Sequence, residues 1–314
     1  MSIESKRIVI PGAAGLVGQN LLILLKEKGY RDIIAIDKHP ENTAVLRKLH
    51  SDITVIEADV SREGDWQGVF QKDDIVIMLQ AQIGSMASDD FVRNNIRSTE
   101  LVLEAAKKNQ VEYLVHISSS VVESVADDDY TNTKKKQEEL VIDSGLPHCV
   151  LRPTLMFGWF DRKHLGWLSR FMKKIPVFPI PGHGRYMRQP LYVRDFCNII
   201  LSCIEKQPDN EIYDITGKEQ VDYVDIIRAI RHAVKAKTLI LHIPYSLFWL
   251  LLKIYAVFDH DPPFTTDQLK ALIGGDEFDV IPWDTIFDVT PTPFTDAINE
   301  TFRDPVYSHY SLKF

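Results

Sequence analysis

The chain has 314 residues, 45% of them apolar and 25% charged, and a formal net charge of −8. That length suits one large α/β unit or two intimately packed ones, and the acidic balance argues against a general nucleic-acid binder. Three cysteines, Cys149, Cys197 and Cys203, with no C-x-x-C spacing, point to buried thiols in a reducing cytoplasm rather than a disulfide framework or a metal site, and the opening "MSIESKR" has no signal-peptide apolar region.

Strand-like and helix-like patterns alternate through the first 150 residues. "RIVIP" reads as a strand and Leu16 to Lys28 as a helix; "DIIAID" and "ITVIEAD" are the second and third strands. "DIVIMLQAQ" is a fourth, a continuous apolar run of the kind found in a parallel strand covered on both faces. Phe91 to Asn109 reads as a helix, "EYLVHIS" as a fifth strand, Lys134 to Ser144 as a helix and "HCVLRPTLMFG" as a sixth strand. This alternation predicts an α/β fold, a doubly wound parallel sheet with helices on both faces.

Beyond about residue 155 the pattern becomes irregular. "IPVFPIPGHG" reads as loop, "PLYVRDFCNIILSCIE" as a short strand and a helix, "EIYDITG" as a strand and Asp222 to Val234 as a helix. "IPYSLFWLLLKIYAVF", Ile243 to Phe258, carries Lys253 as its one charge and has 16 residues. A membrane span needs about 20, so a buried or interface helix is expected, with membrane-surface association as the alternative. "DHDPPFTTDQ" and "TPTPFTDAINETF" read as short helices and turns. Residues 1–155 therefore form the nucleotide-binding half. Residues 156–314 form a smaller mixed α/β substrate region, from which the segments around 189–215 return to the first half.

Gly12, Gly15 and Gly18 follow the first strand and open the first helix. In a βαβ unit the first glycine makes a tight turn, the second lets backbone approach a pyrophosphate, and the third lets helix pack on sheet. The helix start at Leu16 and Val17 then offers N–H groups to phosphate oxygens. Asp37 lies 19 residues past Gly18, at the end of the second strand. A carboxylate there accepts from a ribose 2′-hydroxyl and repels a 2′-phosphate, which favours NAD over NADP, with Lys38 beside it partly offsetting the repulsion.

The G-x-x-G-x-x-G spacing and the motifs that follow it resemble the extended short-chain dehydrogenase/reductase superfamily, the Rossmann-type NAD-dependent epimerase/dehydratase group acting on nucleotide sugars. "EADV" puts Asp59 and Val60 at the family's adenine contact, and "MLQAQ" puts Gln80 and Ala81 along its cofactor. "NIRSTELVLEAA" matches the helix whose Asn, here Asn95, lies near the family's active site, and Pro153 of "RPTLMFG" falls beside the nicotinamide. "HISSS" matches the strand ending in the catalytic hydroxyl, and "YTNTK" the Tyr-x-x-x-Lys pair. The resemblance implies Tyr130 as acid/base and Lys134 as the cation that tunes it, both also bordering the cofactor. Of Ser118, Ser119 and Ser120, alignment on "VES" selects Ser119, with Ser120 in reserve.

Tyr130 and Lys134 are four apart and share a helix face. A phenol of pKa about 10 is a poor base at neutral pH, and a neighbouring ammonium together with a positive nicotinamide ring would bring it down. Ten residues separate Ser119 from Tyr130. That short loop and "DPPFTTDQLKAL" resemble the atypical branch related to the NAD(P)-binding accessory subunit of respiratory complex I, whose members can hold a dinucleotide without turnover.

"RQPLYVRD" resembles the family segment whose arginine grips a diphosphate, which makes Arg188 the first substrate-binding candidate and Arg185 the second. Phe157, Trp159, Phe160 and Trp167 can stack on a base or sugar or fill the seam between the halves; His164 and His183 are pocket or surface residues. Together these readings predict a cytoplasmic NAD-dependent oxidoreductase acting on a nucleotide-activated sugar, as 4-epimerase or 4-keto reductase. The alternatives are a non-catalytic NAD(P)-binding assembly protein and a 3β-hydroxysteroid-type dehydrogenase with Ile243 to Phe258 lining a lipophilic pocket. The resemblance further implies a homodimer built through helices of the nucleotide-binding half.

Overall fold

The computed structural model describes residues 6–258, 266–275 and 278–313. Its strands in chain order are β1 (Ile8–Pro11), β2 (Ile33–Asp37), β3 (Thr54–Glu57), β4 (Ile75–Met78), β5 (Tyr113–Ile117), β6 (His148–Pro153), β7 (Met156–Phe157), β8 (Val177–Pro181), β9 (Met187–Arg188), β10 (Leu191–Tyr192), β11 (Glu211–Ile215), β12 (Val221–Asp222) and β13 (Leu239–Ile243). Between them run α1 (Leu16–Glu27), α2 (Pro40–Leu49), α3 (Ser88–Phe91), α4 (Ser98–Asn109), α5 (Asp129–Ile142), α6 (Leu165–Met172), α7 (Val193–Lys206) and α8 (Tyr223–Ala233); α9 (Tyr245–Phe258), α10 (Thr266–Gly274), α11 (Trp283–Phe287) and α12 (Phe294–Arg303) follow.

Seven strands form one parallel sheet in the order β11-β6-β5-β4-β1-β2-β3. Every residue of β1, β2, β4 and β5 is buried, as their unbroken apolar runs require of strands covered on both faces. Side chains alternate across the sheet. Ile8 and Ile10 join the core with Leu21 and Leu25 of α1 and Phe196 and Ile200 of α7, whereas Val9 joins Leu101 and Val102 of α4. The direction of strand addition reverses between β1 and β4, which opens a crevice at their carboxyl ends. The doubly wound architecture is the one the strand–helix alternation predicts.

Three details differ from the sequence reading. "IPVFPIPGHG" is not all loop: β8 pairs in parallel with β13, and Gly182 N donates to Ile243 O at 2.7 Å. Donors to one partner recur every second residue, so Phe178, Ile180 and Gly182 face β13 while Pro179 and Pro181 face the open edge, where a missing N–H costs nothing. The sixth strand divides into β6 and β7, and β7 leaves the main sheet to pair with β10. The helix of residues 88–109 widens to a π turn over Val92–Arg97.

Phe157, Trp159 and Phe160 are fully buried in the seam, Trp159 against Tyr307 with ring centroids 4.6 Å apart and Phe157 against Tyr192 and Phe294. The three cysteines are buried free thiols. Helix α9 forms where the apolar run predicts it, but it is not buried. Phe248 and Leu252 are half-buried, and most of its other described apolar side chains face solvent. An apolar run says that a helix covers its surface with something; it does not say with what. The "DPPFT" start of the complex I-like segment lies outside the described residues.

Candidate active site

Every residue assigned to the cofactor lies at or just past the carboxyl end of a sheet strand, or on the helix that follows. Gly12 sits at φ +81°, its N–H donates to Ile36 O at 2.8 Å, and a Cβ there would come within 2.5 Å of Gln80 N. Gly18 lies against the loop, with an added Cβ 2.2 Å from Ala13 O. Gly15 is different: an added Cβ would meet only ordinary van der Waals contact, with Gly12 O at 3.6 Å, so the protein does not require glycine there for packing. No side chain caps α1, which leaves the N–H groups of Leu16 and Val17 for an anion.

Asp37 closes β2 with one carboxylate oxygen accepting from Ala14 N at 2.9 Å and the other from His39 N at 3.0 Å. The acid is thereby fixed against the glycine loop with lone pairs to spare. Lys38 donates to Asn94 Oδ1 at 2.6 Å and stands 3.9 Å from Asp59. Burial raises the Asp59 carboxyl pKa, but hydrogen bonds from the Ser61 hydroxyl and N–H and the charges of Lys38 and Arg62 outweigh it, for a net downward shift. Val60 is buried beside it. Past β4, Ala81 is exposed and Gln80 is buried with neither amide atom partnered. A buried amide without a protein partner, a glycine at position 15 that packing does not require and an uncapped helix start all fit a dinucleotide.

Helix α5 starts five residues earlier than its pattern predicts, because the Asp128 carboxylate accepts from Thr131 N at 2.9 Å and caps it. Tyr130 therefore occupies the first turn and Lys134 the next. The consecutive serines are sorted by their partners. Ser118 Oγ donates to Glu138 Oε2 at 2.5 Å, and Glu138 also holds the Arg152 guanidinium. Ser119 Oγ accepts from Val121 N at 3.4 Å. Ser120 begins the 3-10 turn Ser120–Glu123.

Lys134 is buried. Its Nζ donates to Ile117 O at 3.0 Å and to Gln137 Oε1, and Gln137 Nε2 donates on to Gln80 O and to Thr99 Oγ1. Burial pushes the lysine pKa down to about 7, with the Glu138 charge opposing. The Tyr130 phenol moves the other way from the sequence expectation. Burial raises its pKa, the Ser119 hydroxyl pulls against that, and Asp128 adds to it.

Asn95, fully buried, accepts from Gln82 N at 2.6 Å and donates to Thr133 Oγ1 at 3.0 Å, so it ties the loop after β4 to α5. Pro153 ends β6 in register with Ile215. Arg188 on β9 donates to Leu272 O at 2.7 Å. Arg185 lines a hollow of about 600 Å³ with His183, Val224, Arg228 and His242, and no residue of the glycine loop or the Ser/Tyr/Lys set lines it. Gln137, Glu138 and Asn94 were not foreseen as the residues that hold Lys134, Ser118 and Lys38. The one available signal was the three-residue helical spacing from Lys134 to Gln137.

The sheet order, crevice and glycine loop define a dinucleotide-binding α/β enzyme class. Residues 8–216 match the NAD dependent epimerase/dehydratase family, and the chain belongs to that family. NAD is accordingly its cofactor, and it is an enzyme of the extended short-chain dehydrogenase/reductase type. Among curated relatives, the chain is 24% identical over 264 residues, 76% of its length and 77% of the relative's, to the 4-hydroxy-2-methyl-3-oxo-4-farnesyl-3,4-dihydroquinoline-1-oxide ketoreductase of Stigmatella aurantiaca. It is 23% identical to the mitochondrial NADH dehydrogenase (ubiquinone) 1 alpha subcomplex subunit 9 of Dictyostelium discoideum, covering 82% of this chain and 73% of that one. The UDP-glucuronic acid 4-epimerase of Bacillus cereus, solved with UDP-glucuronic acid and NAD, shares the fold at TM-score 0.71 and 22% identity, over 94% of this chain and 98% of that one. No helix among the described residues is long and apolar enough to cross a membrane.

Proposed function

We propose that the chain interconverts a secondary alcohol and its ketone on a nucleotide-activated sugar, as a 4-epimerase or 4-keto reductase, with Ser119, Tyr130 and Lys134 as its working groups. The observation that carries this reading is how the catalytic candidates are tied to the cofactor strands: Lys134, one turn past Tyr130 on α5, donates to Ile117 O two residues before Ser119 and, through Gln137, reaches Gln80 O past β4. Gly12, Gly15, Gly18, the α1 start, Asp37 and Gln80 would hold the dinucleotide, which supplies the hydride exchange when bound. Tyr130 gives a proton to the substrate oxygen on reduction and takes it on oxidation. Ser119 donates to the same oxygen and fixes its direction. The Lys134 ammonium, held by Ile117 O and Gln137, stabilises negative charge in the crevice and tethers Gln80 through Gln137.

A second reading, a lipophilic hydroxyl substrate of the 3β-hydroxysteroid kind, is favoured by the exposed apolar helix α9 and by a relative named for a farnesylated quinoline. The same three residues serve both. Mass spectrometry of the small molecules released on denaturation, with fluorescence titration by NADH and then by UDP and GDP sugars, separates them. Bound NAD(H) with saturable sugar-nucleotide binding supports the first reading. Bound NAD(H) with a response only to hydroxysteroids supports the second, and no dinucleotide binding at all overturns both.

A further inference from the structure

Helix α9 is apolar nearly all round, and it turns one aliphatic side outward. Leu247, Leu250, Leu251, Ile254 and Val257 are each between 45% and 73% exposed and share one side at helical spacing, with the exposed ring of Trp249 beside them. Strand β13, which leads into the helix through Pro244, exposes Leu239 and Leu241 as well. A soluble monomer rarely leaves so much contiguous apolar surface uncovered. The helix has 14 residues, about 21 Å at 1.5 Å per residue, which is too short to span a bilayer but long enough to lie in its interface.

The charge around it identifies the occupant. Residues 162–188 and 226–257 contain twelve Lys and Arg and no Asp or Glu, in a chain whose formal net charge is −8. The acids at their borders are Asp161, whose carboxylate accepts from His164 N and Gly166 N, Asp225, which pairs with Arg228 at 2.9 Å, and Asp259 past the end of the helix. These segments are joined in space by the β8–β13 pair. Exposed Lys173 and Lys174 precede β8, and exposed Lys235 and Lys237 precede the adjacent start of β13. At the other end, where α9 begins, His183, Arg185, Arg228 and His242 surround the hollow of about 600 Å³. Lys253 lies over Trp249 on the helix itself, 5.4 Å from the ring centroid. The acidic remainder of the chain would be repelled by an anionic surface; this lobe alone would be drawn to one.

We propose that α9 and the cationic lobe around β8 and β13 dock the protein on an anionic lipid bilayer, the aliphatic side of α9 entering the acyl boundary and the basic residues meeting the headgroups. A second copy of the chain fits less well, since two such lobes would bring like charges together. The test is flotation of the full-length, NAD-loaded protein with phosphatidylcholine vesicles, with and without about 30 mol % phosphatidylglycerol. The proposal requires binding to the anionic vesicles, at least about tenfold weaker binding to the neutral ones, and loss on raising the salt. Leu250→Ser/Ile254→Ser should weaken binding about tenfold or more, while its NAD titration and melting temperature stay unchanged because both side chains are exposed. A set of Lys173, Lys174, Lys235 and Lys237 changed to Gln should lose the preference for anionic vesicles without touching the apolar side. Failure of the intact protein to float with either vesicle, or equal flotation of both variants, would overturn the proposal. So would a dimer in solution that the Leu250/Ile254 variant converts to monomer without any vesicle binding, an outcome that would assign α9 to a second copy.

Discussion

At the scale of single residues, the crevice divides its polar groups between those that are occupied and those left for a ligand. Ser118 and Asn95 are engaged by protein, whereas Gln80 has no protein partner for its amide. Because Tyr130 starts above the ordinary phenol value, it is a ready acid and a reluctant base near neutrality. Oxidation of the alcohol should therefore accelerate as pH rises into the alkaline range, reduction should slow, and Tyr130→Phe should lose about 10²–10⁴-fold in turnover with NAD affinity retained. A pH–rate profile in each direction checks this. Lys134 gives a second pH signature. Its pKa falls from 10.5 to about 7 on folding, so between those values the unfolded chain binds the extra proton and stability must rise with pH. Relative to Lys134→Met, the unfolding free energy of the parent should grow by about 1.4 kcal/mol per pH unit from pH 7 towards 10, and be flat below 7. Melting of both proteins across that range reads the sign.

At the scale of elements, the β1–α1 turn separates folding from binding glycine by glycine. Gly18→Ala drives a Cβ to 2.2 Å from the Ala13 carbonyl and should lower the melting temperature markedly. Gly15→Ala finds only ordinary contact, at 3.6 Å, and should melt within about 1 kcal/mol of the parent while weakening NAD binding. Calorimetry beside an NAD titration distinguishes the two effects. This turn was legible in sequence because strand, glycine spacing and acid are all local. Helix α5 was legible only in part. Its apolar pattern starts at Lys134, but the Asp128 cap moves the first turn back to include Tyr130. Strand β8 was misread because proline content marks loops on average, while the alternation that lets Pro179 and Pro181 face an open edge depends on a partner some 60 residues away.

At the scale of the molecule, the doubly wound parallel sheet was foreseeable from alternation, since parallel crossovers leave few topologies. What binds Lys134 was not. Gln137 lies one turn on in the same helix, but its amide N–H groups find Thr99 of α4 and Gln80 O, leaving its oxygen to Lys134, only once α4 and α5 pack side by side. Likewise, the burial that raises the Tyr130 phenol, against the pull expected from Lys134 and a positive nicotinamide ring together, comes only with packing. The aromatic group after β6 was resolved by packing, which buries Phe157, Trp159 and Phe160 against the C-terminal segment. Trp159→Ala should therefore cost about 3–5 kcal/mol of stability and leave NAD affinity nearly unchanged, measurable by denaturant unfolding.

Turnover by the parent and by Tyr130→Phe, followed through NADH absorbance and chromatography of products on a panel of UDP sugars, GDP sugars and 3-hydroxysteroids, with NAD affinity measured in parallel, tests the assignment of Tyr130 most directly. Turnover of one substrate class by the parent, lost in the variant at equal NAD affinity, is the predicted result. Equal turnover by the two proteins, or tight NAD binding with no turnover of any substrate, would contradict it.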